Sequence, residues 1–392
     1  MRGATRTTLG AASASVLFGL PLFLTGTLAV LMREDLGFDE AQLGTSFTLF
    51  FLVGAAVSVV GGAVSERLGP RRTMLLGGFG TVVALVAIAT VVDSYTGFLA
   101  CLLLAGLTNG LAQPATNLAI AVGVPPPRHG VAFGLKQSAG PATTLIAGFA
   151  LPLVLHVGWR AAFAGSAVLW VLVALMLPTI PARSVQRCTA TRLPRATDVP
   201  MPTLVLLAMG AVFAMAAAAS LSAFLVSAVV VGGMEVGRAG LLFAGGSVAS
   251  ILVRVISGWL ADRRDGRHLL IVAVMLLLGG LGYALLAFGS TTIAVVAGTI
   301  LAFGVGWGWT GLHNFAVVRG NPSAPGVATS VTQTGLLLGG VVGPAVFGLV
   351  VVRAGYPAAW LGAAVCALVA ALLTLLGRNR IQHHRRSTLS LT

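Results

Sequence analysis

Two basic side chains and one imidazole lie inside long apolar stretches of the sequence: Arg254, Lys136 and His313. Charged and polar side chains at membrane depth are costly, so they usually face a cavity or a polar partner. The Arg254 guanidinium stays ionised and presents a planar fork of donors that suits a carboxylate. Arg254 therefore predicts a site for an anionic group. The alternative is a structural pairing with a helix end or a loop acid.

The other two basic groups allow two interpretations each. Lys136 is the only lysine in the chain and lies near the start of its apolar stretch. If it faces a cavity it adds a second positive charge, whereas a lysine so near a helix end also snorkels to the membrane interface. His313 is either a packed hydrogen-bonding residue or a group that carries a proton.

A stripe of amides accompanies these groups. Asn109, Gln113 and Asn117 recur at a spacing of four residues, which places their side chains along one face of a helix. Such a stripe could bind a small polar solute. Hydrogen bonds that merely hold neighbouring helices together are the alternative for any one of these amides.

The elements that must position these residues are membrane-spanning helices. The chain is 57% hydrophobic and 9% charged, whereas about 25% of the residues of soluble domains are charged. Backbone groups in lipid must be satisfied internally, and no segment alternates in polarity as a barrel strand does, so the apolar stretches are helices. We predict an all-α membrane protein with twelve spans, at residues 11–32, 42–64, 73–92, 96–122, 131–155, 160–180, 201–230, 239–261, 269–288, 292–317, 327–352 and 358–377.

The net charge of +14 lies in the loops between these spans. Eighteen arginines fall in loops on one side of the predicted topology and four in loops on the other. This asymmetry predicts that both termini and the central loop are cytoplasmic, in a multi-pass protein of the cytoplasmic (cell inner) membrane. The excess charge thus orients the chain in the lipid bilayer, and we expect no nucleic-acid partner. The three cysteines have no metal-ligand spacing, so we expect no metal site and no cofactor.

An internal repeat divides the chain into two halves. Gly62 to Arg67 matches Gly258 to Arg263 at an offset of 196 residues, and the same offset aligns Gln137 with Gln333. The offset also maps Gln113 onto Trp309 and Asn117 onto His313, so we add Gln137, Gln333 and Trp309 to the candidate substrate-binding residues. Copies separated by an even number of spans have the same orientation, which predicts a pseudo-twofold axis along the membrane normal.

The predicted domains follow from this repeat and from a polar break in the apolar pattern. Residues 1–180 form an N-terminal six-helix bundle. Residues 181–200, rich in Arg, Thr and Pro, form a cytoplasmic linker. Residues 201–392 form a C-terminal six-helix bundle with a basic cytoplasmic tail.

The loop after the second span carries the signature that identifies a family resemblance. It consists of Gly62-Ala-Val-Ser-Glu66-Arg67-Leu-Gly69-Pro-Arg71-Arg72, with a weaker copy from Gly258 to Arg267. Over essentially its full length the chain resembles the major facilitator superfamily of secondary transporters, although Glu66 replaces the usual Asp. The resemblance implies a monomeric transporter of a small solute, without enzymatic activity, that works by rocker-switch alternating access.

The signature residues are predicted to control the conformational cycle. A small residue at Gly62 lets helices approach closely, and a carboxylate at a helix end should seek an Arg or a helix N-terminus. The alternative is that these charges only set the topology. The candidate gating residues are Gly62, Glu66, Arg67, Gly69, Arg71, Gly258, Asp262 and Arg263.

The resemblance also bears on the class of solute. Arg254, four residues before Gly258, resembles the eighth-helix arginine of the monocarboxylate and oxalate–formate branches, which binds their anionic substrates. All ten acids fall in loops or at helix ends, which argues against efflux of cationic drugs. We therefore predict transport of a small anionic organic solute, with a co-transported proton or an exchanged anion. The alternative is proton-coupled efflux of a drug or metabolite, supported by Gly140-Pro141, which partly resembles the antiporter signature.

Overall fold

The apolar stretches form helices throughout the computed structural model, which describes residues 2–125, 128–177, 197–263 and 268–389. No β-strand occurs among these residues, so the prediction of an all-α protein is confirmed. Nine helices of the described part are long and apolar enough to cross a membrane. One of them, Gly326–His383, covers two of the predicted spans.

Seven α-helices are described in the first half of the chain. They are α1 (Arg2–Leu36), α2 (Glu40–Leu68), α3 (Pro70–Thr90), α4 (Tyr95–Gly123), α5 (His129–Gln137), α6 (Ala139–Val154) and α7 (Arg160–Met176). Capping residues start two of them. Asp39 and Gln42 form a reciprocal capping box at α2, and the Ser94 hydroxyl accepts a hydrogen bond from the Gly97 N–H at α4.

Six α-helical segments are described in the second half. They are α8 (Met201–Val231), α9 (Val236–Arg263), α10 (His268–Phe288), α11 (Thr292–Thr299), α12 (Gly306–Gly320) and α13 (Pro325–Leu389). A π-helical segment, Ile300–Val305, joins α11 to α12. Gly355 interrupts α13 with a positive φ of 80°, so α13 consists of two helices.

The chain divides into two compact units. Unit 1 comprises residues 1–192 and 222–244, and unit 2 comprises residues 193–221 and 245–392. Aromatic side chains form part of the core of unit 1, where Phe18 packs against Trp170 and Trp159 packs against Phe163. In unit 2, buried Val272, Leu276 and Trp309 belong to one apolar cluster.

Glycines bring helices of unit 1 into backbone contact. A Cβ added at Gly110 of α4 would overlap the backbone of Gly54 on α2, and one added at Gly61 would overlap the Gly110 and Leu111 backbones. The α2–α4 pair is therefore packed more closely than larger residues would allow. This close packing fixes the helix that carries the amide stripe.

Two of the predicted spans are not single regular helices. The span predicted at 131–155 is divided at Ser138 into α5 and α6. Pro141 lacks an N–H and cannot bond the carbonyl of Gln137, which favours a break at this point. The span predicted at 292–317 contains the π-helical segment. Most of the predicted linker, residues 181–196, lies outside the described residues.

Candidate functional site

Arg254 lies on α9 and is bound to α12 by hydrogen bonds to uncharged acceptors. Its Nη1 donates to the Thr310 hydroxyl at 2.6 Å, and its Nη2 donates to the Trp307 carbonyl at 2.8 Å. The guanidinium carbon lies 5.8 Å from the centre of the Trp307 ring. The buried Nε has no hydrogen-bond partner in the described part of the chain. Neither acceptor carries a negative charge, so the guanidinium keeps its full positive charge.

No carboxylate described by the structure neutralises Arg254. The ion pairs among the described residues are Arg33–Glu40, Arg160–Asp35 and Arg238–Glu235. The Asp262 and Arg263 side chains lie outside the described residues. A part-buried guanidinium without a counter-charge has an electrostatic preference for an anion.

Glycines on α12 and on the π-helical segment explain how Arg254 is positioned. A Cβ on Gly304 would lie 2.9 Å from the Ala249 Cβ, and a Cβ on Gly308 would lie 2.8 Å from Val253 Cγ1. Gly304 and Gly308 are four residues apart, as are Ala249 and Val253, so two matching helix faces are in contact. The contact ends one residue before Arg254, which brings its guanidinium to Thr310.

His313 and Trp309 form a second part of the site on α12. Both side chains are buried, with 1% exposure each. Their rings pack edge to face with centroids 5.3 Å apart. Neither nitrogen of His313 nor the Trp309 indole nitrogen has a hydrogen-bond partner in the described structure. The Oδ1 atom of Asn314 also lacks one.

The unpaired polar atoms of α12 are costly to keep. A buried donor or acceptor without a partner costs about 1–3 kcal/mol. Residues 309, 310, 313 and 314 are neighbours at helical spacings of one, three and four. The unpaired nitrogens of Trp309 and His313 and the Oδ1 atom of Asn314 are therefore candidate ligand contacts, whereas the Thr310 hydroxyl is already bonded to Arg254.

The π-helical segment precedes this polar face directly. An extra residue per turn rotates all following side chains about the helix axis, and π-helical turns occur often at functional sites. The buried hydroxyl of Thr299, at the start of the segment, has no partner among the described residues. The sequence did not reveal the segment. It also did not single out Thr310, the acceptor for Arg254, although the glycine and tryptophan run from Gly304 to Trp309 was a usable signal.

The amide stripe of α4 is partly paired within itself. Gln113 Nε2 donates to Asn109 Oδ1 at 3.1 Å, and both residues are half-buried. This bond confirms that the two side chains share a face, as predicted from their spacing. Asn117 is exposed.

The remaining candidates of the substrate-binding set lie near helix breaks or on α13. Lys136 is half-buried and Gln137 is exposed, both in the last turn of α5 directly before the break at Ser138. Gln333 is half-buried on α13.

The signature loop between α2 and α3 is described from Gly62 to Arg72. Gly69 has a positive φ of 83°, which forms the turn into α3. Arg71 Nε donates to the Leu177 carbonyl beyond the end of α7 at 3.2 Å. Glu66 and Arg67 are exposed, and neither has an ion pair within the described residues.

The close helix approach expected at Gly62 is not present. Among the described residues, a Cβ added at Gly62 or at Gly258 would meet no atom within 4 Å. The close approach is made by Gly61 instead, because residue 61 is on the face of α2 that packs against α4.

Comparison with known families decides the identity of the chain. Residues 11–335 and 207–390 match the family model of the Major Facilitator Superfamily. The chain belongs to the Major Facilitator Superfamily. It is therefore a multi-pass membrane transporter and not an enzyme, as predicted.

Relatives of this superfamily member include proteins with different substrates. A chloramphenicol resistance protein of Streptomyces lividans is 30% identical over 342 residues, which are 84% of each chain. A probable nitrate/nitrite transporter of Mycobacterium tuberculosis, NarK2, is 26% identical over 349 residues, which are 83% of this chain and 84% of that one. A probable sulfoacetate transporter of Cupriavidus necator, SauU, is 29% identical over only 34% of this chain and 31% of its own length.

The fold is also shared with solved superfamily structures. The crystal structure of a D-xylose–proton symporter matches with a TM-score of 0.76 at 16% identity, covering 95% of this chain and 97% of that one. At this identity the match establishes the two-domain, twelve-helix fold class and gives no information on the solute.

Proposed function

We propose that this superfamily member is a secondary active transporter of a small organic anion. The observation that carries the proposal is Arg254, whose guanidinium is bound only by the Thr310 hydroxyl and the Trp307 carbonyl in the described structure. This part-buried charge has only neutral partners, and its Nε–H donor is unbonded. It can therefore bind a carboxylate or a similar oxyanion.

The neighbouring residues of α12 suit the same ligand. The Trp309 indole is a donor only, and His313 provides one donor when neutral and two when protonated. Because these nitrogens lack partners among the described residues, an anion held by Arg254 would gain further hydrogen bonds from them. His313 is then also the proposed carrier of a co-transported proton. Alternatively, transport is driven by exchange against a second anion.

Two relatives support an anionic solute by their names. One is a probable nitrate/nitrite transporter and the other a probable sulfoacetate transporter. We propose that Lys136, Asn109, Gln113, Asn117, Gln137 and Gln333 contribute further polar contacts to the solute.

The proposed transport cycle is rocker-switch alternating access of bundles at residues 1–180 and 201–392, joined by the linker at 181–200. The signature residues Gly62, Glu66, Arg67, Gly69, Arg71, Gly258, Asp262 and Arg263 are proposed to stabilise one conformation of the cycle. We place the monomeric protein in the cytoplasmic membrane with both termini in the cytoplasm, following the arginine asymmetry of its loops.

A second candidate function is efflux of a drug or metabolite by proton antiport. It is favoured by the 30% identity to a chloramphenicol resistance protein over 84% of both chains. The described residues of the spans offer no mid-membrane carboxylate for a cationic drug, but chloramphenicol-like neutral compounds do not need one.

A ligand-induced thermal shift separates the two candidates. The purified protein is screened against small carboxylates, sulfonates, nitrate and chloramphenicol, and a ligand that binds the folded state raises the Tm. We expect a shift with one class of anion that is lost in Arg254→Gln. Arg238→Gln is the matched control, because Arg238 lies on the same helix but is exposed and pairs with Glu235. A shift with chloramphenicol alone, unchanged in Arg254→Gln, would support efflux instead.

A further inference from the structure

A groove separate from the Arg254 region lies on unit 1 between α1 and α7. It has a volume of about 650 Å³ and is lined by Thr5, Arg6, Leu9, Gly10, Ser13, Val173 and Met176. The two helices are in contact. We call this feature the α1–α7 groove.

The α1–α7 groove changes from charged to uncharged along its length. Thr5 and Arg6 line one end, and Ser13 lies eight residues further along α1, which corresponds to about 12 Å of helix rise. Gly10 and Ser13 provide a floor without bulky side chains, while Leu9 and Met176 form exposed apolar walls. A charged entrance that leads into an apolar channel matches the shape of a phospholipid headgroup and one acyl chain.

The charge at the entrance is positive and available. Arg6 Nε donates to the Met176 carbonyl at 3.4 Å, which leaves the two Nη groups without a partner in the described structure. No acidic residue is among the described residues that line the groove. Arg71, bound to the adjacent Leu177 carbonyl, adds a second positive charge at the same end of α7.

We propose that the α1–α7 groove binds one anionic phospholipid. Arg6 would hold the headgroup phosphate through its free Nη donors, and an acyl chain would lie against Leu9, Ser13 and Val173. Basic pockets at the ends of membrane helices bind anionic headgroups in this manner. A zwitterionic lipid is less favourable, because the described lining of the groove offers no acid to pair with its ammonium group. The proposal does not depend on the nature of the transported solute.

Native mass spectrometry of the delipidated protein tests the proposal with two lipids of equal chain length, phosphatidylglycerol and phosphatidylcholine. We expect one phosphatidylglycerol to remain bound preferentially. Arg6→Gln, which keeps a donor for the Met176 carbonyl but removes the charge, should weaken this binding about five-fold. Arg72→Gln is the matched control, since Arg72 is exposed and does not line the groove.

A second variant tests the shape of the groove independently of its charge. Ser13→Leu fills the apolar channel without altering any charge, so it should also abolish retention of phosphatidylglycerol. Equal binding of both lipids by the unaltered protein, or full retention of phosphatidylglycerol by Ser13→Leu, would overturn the proposal. The Tm of each variant confirms that it remains folded.

Discussion

Arg254 shows how a single residue can keep its charge inside a helical protein. Its two hydrogen bonds satisfy donors without neutralising the guanidinium, because the acceptors are a hydroxyl and a carbonyl. The alternative from the sequence, pairing with a loop acid, is not found among the described residues. We therefore propose that this charge binds a ligand.

Asp35 lies near the end of α1 in unit 1 and bonds two residues at the start of α7. Its Oδ2 accepts from Trp159 Nε1 at 2.7 Å and from Arg160 Nη1 at 3.3 Å, while Arg160 Nη2 donates to the Val92 carbonyl at 2.7 Å. The carboxylate thus connects the end of α1 to the start of α7, and Arg160 in turn connects α7 to the segment after α3.

Asp35→Ala should therefore destabilise the protein. The half-exposed ion pair contributes little by itself, but the buried indole N–H would lose its acceptor, so we expect a loss of about 1 kcal/mol. Thermal unfolding in detergent measures it. Glu34→Ala is the matched control, because Glu34 is exposed and makes no ion pair in the described structure. Equal Tm values for the two variants would contradict this role.

Asp198 predicts a dependence of stability on pH. Its carboxylate accepts from the Ser323 N–H at 2.9 Å and from the Ser323 hydroxyl at 2.8 Å, and these bonds lower the pKa of Asp198. A lowered pKa in the folded state gives stability that is fully present above the unfolded pKa of about 3.9 and is lost as the pH falls through the folded pKa.

The comparison of the wild type with Asp198→Asn checks this sign. The wild type should unfold at a higher temperature near neutral pH, and the difference should shrink as the pH is lowered below about 4. Ser323→Ala should reproduce part of the effect by removing one donor. A difference that grows on acidification would show that the sign is wrong.

At the scale of helices, small residues decide where the functional side chains lie. Gly304 and Gly308 pack against Ala249 and Val253. This contact positions Arg254 within hydrogen-bond distance of Thr310. The site thus depends on residues that make no contact with a ligand themselves.

Gly308→Val tests this dependence. The added side chain would collide with Val253, and overpacking of this kind typically costs about 1–3 kcal/mol. We expect a lower Tm and a loss of anion transport. Gly311→Val on the same helix is the control, since a Cβ there meets nothing within 4 Å. Both variants retaining transport would show that the α9–α12 contact does not position Arg254.

Much of the helical architecture could be predicted from the sequence, because apolar length alone defines a membrane helix. Three features could not be predicted: the division at Ser138, the π-helical segment, and the close packing at Gly61 in place of Gly62. Each depends on how one helix meets its neighbour, and hydropathy contains no information on that contact. The same limit applies to the site. Residue type identified Arg254 and His313, whereas the partnership with Thr310 depends on the packing of α9 on α12.

At the scale of the whole molecule, the two halves of the repeat have diverged in chemistry. Gln113 of unit 1 satisfies a donor through Asn109. Its counterpart Trp309 in unit 2 has an indole nitrogen without a partner in the described structure. His313, the counterpart of Asn117, has two ring nitrogens without one. The charged Arg254 also lies in unit 2. We therefore propose that unit 2 recognises the anionic group.

Counterflow of labelled anions in proteoliposomes tests this central claim most directly. Unaltered protein should exchange the anion that raises its Tm, and Arg254→Gln should reduce this exchange roughly ten- to hundred-fold, the value of a hydrogen bond to a charged group. Arg238→Gln should exchange at the unaltered rate. Anion exchange that continues unchanged in Arg254→Gln would contradict the account.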